Sequence, residues 1–126
     1  MRITKSITFD AAHYLNTQSA EEAGRPYARM HGHSFSLEVT LEGTPDQRTG
    51  WVTDFGDVTD ALEALRKDLD HRLLNEVEGL SQPTLENICL WAAKRLSAQF
   101  KNLVQVKAAR PSNGETCVYD VPAAST

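Results

Sequence analysis

His31-Gly32-His33-Ser34-Phe35-Ser36-Leu37-Glu38-Val39-Thr40-Leu41 is the clearest strand in the chain. Its odd positions are apolar or imidazole and its even positions small or polar, the period of two expected of a strand with one buried face. Residues two apart in a strand share a face. His31 and His33 therefore stand on the side that carries Phe35 and Leu37. Two imidazoles are half of a metal site, and the chain has only two more histidines, His13 and His71.

Working outward, Ile3, Ile7, Phe9, Ala11 and His13 place apolar groups on odd positions, with Lys5 the exception. This predicts an earlier strand with His13 on its buried parity. Residues 16–29 turn polar and small, with Gly24 and Pro26, and read as a long loop of the kind that carries function. Beyond the central strand, turn residues between Gly43 and Gly50 lead to Asp54, a predicted N-cap. Phe55, Val58, Leu62, Leu65 and Leu69 then recur at spacings of three and four, the apolar stripe of an amphipathic helix. Asp70-His71 falls at its C-terminal end. A second helix is predicted from Pro83-Thr84, capped by Thr84, with Leu85, Ile88, Ala92, Leu96 and Phe100 inward.

Val104, Val106 and Ala108 alternate with Gln105 and Lys107 as a third strand. Residues 110–114 turn the chain back, and residues 116–121 form a fourth strand. The order strand, strand, helix, helix, strand, strand predicts an α+β fold: a four-stranded antiparallel sheet with two helices on one face. The other face then needs water or a partner. A length of 126 residues suits one domain, spanning 1–126 and ending in the short Ala-Ala-Ser-Thr tail.

With 40% hydrophobic and 24% charged residues and no apolar run near the ~20 residues of a membrane span, the composition excludes a transmembrane protein. A net charge of −4 gives no global reason to bind nucleic acid. The N-terminus lacks a signal-peptide h-region, and Cys89 and Cys117 form no spaced framework, so a reducing cytoplasm is expected. Both cysteines read as core thiols.

His13, His31 and His33 match a mononuclear catalytic zinc site, with three neutral imidazoles and one open position. Taken singly, a histidine at a strand end is usually a satisfied polar residue; three on matching parities reverse that reading. Asp70-His71 admits two readings. The carboxylate could fix the tautomer of a proton-moving imidazole, or the histidine could simply favour a helix C-terminus.

Five ordered stretches carry a resemblance: Phe9-Asp10-Ala11-Ala12-His13, His31-Gly32-His33-Ser34-Phe35, Gly50-Trp51-Val52-Thr53-Asp54-Phe55, Leu69-Asp70-His71-Arg72-Leu73-Leu74-Asn75 and Pro83-Thr84-Leu85-Glu86-Asn87. Together they resemble the 6-pyruvoyl-tetrahydropterin synthase and 6-carboxytetrahydropterin synthase family over nearly the whole chain, especially its bacterial queuosine-pathway branch. The resemblance implies the tunnelling fold, a homo-oligomer of trimers or hexamers, and Zn2+ on His13, His31 and His33. It also implies a 7,8-dihydroneopterin triphosphate substrate, with Asp70 and His71 moving protons, and Thr84 and Glu86 near the pterin.

Two positions depart from the family pattern. Tyr27 stands where the family has a catalytic cysteine, four residues before the His-Gly-His stretch. A phenol, with a reference pKa of about 10 against about 8.5 for a thiol, needs a larger shift to act as a base. Ala108 and Ala109 occupy the neighbourhood of the family's pterin-binding glutamate, and Glu115 is the remaining carboxylate that could take that part. Arg25, Arg29 and Arg110 suit phosphate chemically but are equally ordinary loop residues. The expected function is a zinc-dependent 6-carboxytetrahydropterin synthase-like lyase, with Tyr27 in an altered role. The alternatives are a pyruvoyl-forming or side-chain-cleaving pterin enzyme and a non-catalytic zinc and pterin-binding paralogue.

Overall fold

A computed structural model describes residues 1–123; the last three residues of the tail lie outside the described residues. The elements follow in the order β1 (Arg2–His13), α1 (Ala20–Ala23), β2 (His31–Glu42), α2 (Phe55–Leu69), α3 (Leu85–Ser97), β3 (Leu103–Arg110) and β4 (Glu115–Asp120). The strands form one antiparallel sheet in the order β1-β2-β3-β4, with α2 packed on β1 and α3 on β3 and β4. This is the α+β arrangement expected from the alternation in β1 and β2. Ile7, Phe9 and Ala11 of β1 and Phe35, Leu37, Val39 and Leu41 of β2 are buried, while the even positions of β1 are largely open.

Pairing in the first hairpin is continuous from Arg2↔Glu42 to His13↔His31. That register sets His13 directly opposite His31, with His33 two residues along β2 on the same face. The two strands thus bring three imidazoles to one end of the sheet, on its helix-covered side.

Both predicted helix caps are present. The Asp54 carboxylate accepts the Gly56 N–H at 2.8 Å, and Thr84 Oγ1 accepts the Asn87 N–H at 3.1 Å. α2 buries Val58, Leu62, Leu65 and Leu69. Phe55, expected in that stripe, is instead 47% exposed. It is the first helical residue, and the core side of the helix begins only one turn later.

Three further details differ from the sequence expectation. The 16–29 stretch contains α1, capped by Ser19, and a 3-10 turn at Pro26–Ala28. In β3 the register shifts, with Thr40 opposite Gln105 and Leu41 opposite Leu103. Val104 is the extra residue of a bulge, which lets both Leu103 and Val106 face the core. β4 begins at Glu115, one residue earlier than expected, because the 3-10 turn Pro111–Asn113 ends at Gly114 with φ +68°. Left-handed backbone of this kind favours glycine.

Candidate metal centre and active site

His13 is fully buried, and His31 and His33 are partly so. One ring nitrogen from each lies within 4.8 Å of the other two. Carbonyl oxygens fix two of the rings: Nδ1 of His13 lies 2.9 Å from Pro83 O, and Nδ1 of His31 lies 2.6 Å from Arg29 O. A carbonyl only accepts, so each ring carries its proton on Nδ1 and presents a lone pair at Nε2.

Those two Nε2 atoms face each other at 3.1 Å. Neutral rings in these tautomers place no proton between them. Nε2 of His33 is sealed from water and has no hydrogen-bond partner. Protonation is an unfavourable remedy, because burial first, and then the neighbouring positive groups, pulls His13 down to about 4; burial also lowers His33. Three converging ring nitrogens, two of them presented as lone pairs and the third without a partner, are the donor set of a metal cation such as zinc, so these residues could hold one. The rings also pack edge to face, with centroids 4.6 to 5.1 Å apart. Edge-to-face contacts between His13, His33 and Phe35 back the site with an aromatic wall.

The hydrogen bonds holding the rings come from outside the strands. Pro83 immediately precedes the Thr84 cap of α3, so the cap that starts the helix also sets the His13 acceptor in place. Arg29 follows the Pro26–Ala28 turn in the long loop. Neither carbonyl was legible in the sequence, since backbone acceptors leave no residue signature.

Asp70 and His71 sit at the opposite margin of β1. Asp70 is the C-cap of α2, and its Oδ1 accepts the Asp10 N–H at 2.9 Å. Its Oδ2 lies 3.0 Å from His71 Nδ1 and 3.3 Å from a terminal nitrogen of Arg66. The Asp10 N–H first, and then the His71 and Arg66 contacts, hold this carboxyl below the usual aspartate range. His71 adopts φ +58°, left-handed backbone in a residue that is not glycine. Its N–H donates to Asp10 O at 2.7 Å, and Ala12 N–H donates to Arg72 O at 3.0 Å. The chain thus leaves α2, reverses at His71 and runs along the free edge of β1. A cleft of about 620 Å³ lined by Asp10, Ala12, His33, Ser34 and His71 lies there. Ser34 Oγ donates to the Asp10 carboxylate at 2.5 Å across its floor.

The other expected residues are placed as follows. Tyr27 lies in the loop turn, its carbonyl accepting the Leu15 N–H at 2.9 Å, with its side chain more than a third exposed. Among the described residues no hydrogen bond joins its phenol to the three histidines. Thr84 spends its hydroxyl on capping, and Glu86 is exposed in the first turn of α3. Glu115 stands opposite Arg110 in the β3-β4 hairpin, with Oε1 3.1 Å from Arg110 Nε. The antiparallel register of β3 on β2 carries this pair toward the end of the sheet where the three histidines stand. Arg110 joins the candidate site although the sequence alone gave no ground for choosing it over other loop arginines. Cys89 is a buried core thiol whose Sγ points at the Val106 and Cys117 carbonyls, at 3.7 and 3.6 Å, and burial pushes it up to about 12. It offers no thiolate to the site.

A four-stranded sheet with both main helices on one face and, at its end, a three-histidine cluster that could hold a metal defines the class of small α+β protein to which the chain belongs. Within that class the chain belongs to the family described as 6-pyruvoyl tetrahydropterin synthase, whose model matches residues 2–122. Members of this family are enzymes of pterin metabolism. Among relatives, a dihydroneopterin monophosphate aldolase of Pyrococcus furiosus is 38% identical over 106 residues, covering 84% of this chain and 83% of its own. A 6-carboxy-5,6,7,8-tetrahydropterin synthase of Synechocystis is 36% identical over 99 residues, covering 75% and 73%. The 6-pyruvoyl tetrahydropterin synthase of Caenorhabditis elegans shares the fold, with a TM-score of 0.84 over 97% of this chain and 96% of that one at 24% identity.

Proposed function

We propose that the chain is a zinc-dependent lyase that cleaves the side chain of a phosphorylated 7,8-dihydroneopterin by a retro-aldol reaction. The observation that carries this is the pair of facing Nε2 lone pairs at 3.1 Å beside the orphaned His33 nitrogen, a site made for a cation, in a chain with no thiol there. Zinc on His13, His31 and His33 would bind the side-chain oxygens and acidify them.

His71, oriented by Asp70, takes the proton of the second side-chain hydroxyl. The bond between the first and second side-chain carbons breaks, and its electron pair is delocalised into the ring imine. A proton returned to the first carbon gives a hydroxymethyl pterin, and the other fragment leaves as a two-carbon phosphorylated aldehyde. One acid-base group serves both proton transfers, so neither a cysteine nor an activated Tyr27 is required. The aldolase relative from Pyrococcus furiosus supports this reading.

A second reading, the 6-carboxytetrahydropterin synthase reaction on 7,8-dihydroneopterin triphosphate, is supported by the Synechocystis relative. In that reaction Tyr27 would share proton transfer with Asp70 and His71. Under either reading a homo-oligomer would cover the open face of the sheet, Thr84 and Glu86 would border the pterin and Glu115 would bind it. No helix among the described residues is long and apolar enough to cross a membrane, in keeping with a place in the cytoplasm.

Product analysis separates the readings. Zinc-loaded protein incubated with dihydroneopterin monophosphate and triphosphate should yield hydroxymethyl-dihydropterin, with the monophosphate preferred, and His71→Ala should lose at least about a hundredfold in kcat. A 6-carboxy product would favour the second reading, and no turnover of either compound would overturn both.

A further inference from the structure

We propose that Arg110 is the positioning residue for Glu115, and that the two form one ion pair at the rim of the histidine site which holds a carboxylate for the substrate's ring. The proposal rests on the pterin reading above and adds to it the residue that makes Glu115 competent.

The end of β3 supplies no carboxylate, since Ala108 and Ala109 are small and buried. The next strand brings one, Glu115, opposite Arg110. Arg110 and Glu115 are register partners across a turn closed by left-handed Gly114, so their approach is set by the backbone. Val106 and Ala108 face the core, and Arg110 shares their parity. Ala108 lies opposite Leu37, and the antiparallel pairing carries the β3 end toward Phe35 and His33 on β2.

The burial of the two side chains is unequal. Arg110 is 16% exposed and Glu115 49%. A guanidinium does not lose its proton, so its burial here needs a compensating anion. Arg110 Nε is sealed from water and sits 3.1 Å from Glu115 Oε1, close enough for an ion pair but out of line for a hydrogen bond. A turn of the carboxylate about its own side-chain bonds is what would bring that N–H into line. An ionised carboxylate also accepts two parallel N–H groups, the pattern on the amino-pyrimidinone edge of a pterin. Ligand binding that turns Glu115 toward such an edge would complete the Arg110 bond, and the two events would reinforce one another.

The test is equilibrium binding of neopterin to the metal-free chain, read by fluorescence quenching, for wild type, Glu115→Gln, Arg110→Gln, Arg110→Lys and the double Gln variant. Each single Gln variant should weaken binding about tenfold or more, and the double variant should be no weaker than Glu115→Gln alone. Arg110→Lys should recover part of the loss, because it keeps the charge but not the fork. In the zinc-loaded enzyme the loss should fall on KM with kcat little changed. Wild-type affinity in Arg110→Gln, or losses that simply add in the double variant, would overturn the pairing. If Arg110→Gln fails to fold, unchanged binding in Glu115→Gln overturns it by itself. A wild-type chain that binds no pterin would instead overturn the functional reading on which the pair rests.

Discussion

His71 carries two roles that pull in opposite directions. Its φ of +58° is a conformation that costs a non-glycine residue about 1 kcal/mol or more, while its imidazole stands mostly in solvent against Asp70. Replacing it by glycine should relieve the backbone term, leaving the protein as stable as wild type or up to about 1 kcal/mol more so in urea melts, while turnover is lost. A clear fall in stability would show that the imidazole contributes to the fold. Asp70 makes the complementary prediction in pH. Its folded pKa is depressed, chiefly by the Asp10 N–H, so its contribution is complete above the unfolded value of about 3.9 and fades as pH falls through the lower folded value. The stability gap between wild type and Asp70→Asn should therefore be full at neutral pH and close in strong acid; a gap independent of pH would contradict it. Strand parity made the shared face of His13, His31 and His33 legible in the sequence, and the end of the α2 stripe made the position of Asp70-His71 legible. The Pro83 and Arg29 carbonyls and the left-handed turn at His71 were not, because backbone geometry at a loop is set by the elements on either side.

At the scale of the elements, periodicity and capping carried most of the fold. The two-residue alternation of β1 and β2 placed the histidines on one face, and Asp54 and Thr84 marked the helix starts correctly. Phe55 misled because periodicity cannot tell the first turn of a helix, which overhangs the core, from the second. The β3 bulge was hidden for a related reason, since Val104 continues the apolar run yet sits outside the register. Leu62, fully buried at the centre of α2, is the sharpest test of the packing. Leu62→Ala should cost about 2–5 kcal/mol in chemical denaturation. Thr84→Ala should cost about 0.5–2 kcal/mol as a lost cap, and should also weaken metal binding, because the same turn carries the carbonyl that orients His13. Unaltered metal affinity in that variant would uncouple the cap from the site.

For the whole molecule, one sheet end gathers three imidazoles able to hold a cation, with the Arg110–Glu115 ion pair toward the same end and, across the edge of β1, the Asp70–His71 pair beside the cleft that His33 also lines. The helix-covered face supplies the burial that keeps His13 neutral, and the open face leaves room for a second copy or for water. A ligand held only by the folded chain stabilises it by mass action, by about 2.7 kcal/mol when free metal is a hundred times its Kd. Zinc should therefore raise the unfolding midpoint and a chelator should reverse the gain. The most direct test of the central claim is calorimetric titration of the metal-free chain with zinc, compared with His33→Ala. One equivalent of zinc bound per chain, with affinity lost in His33→Ala although that variant stays folded, is the predicted result. No binding by the wild type, or equal binding by the variant, would contradict a three-histidine metal centre.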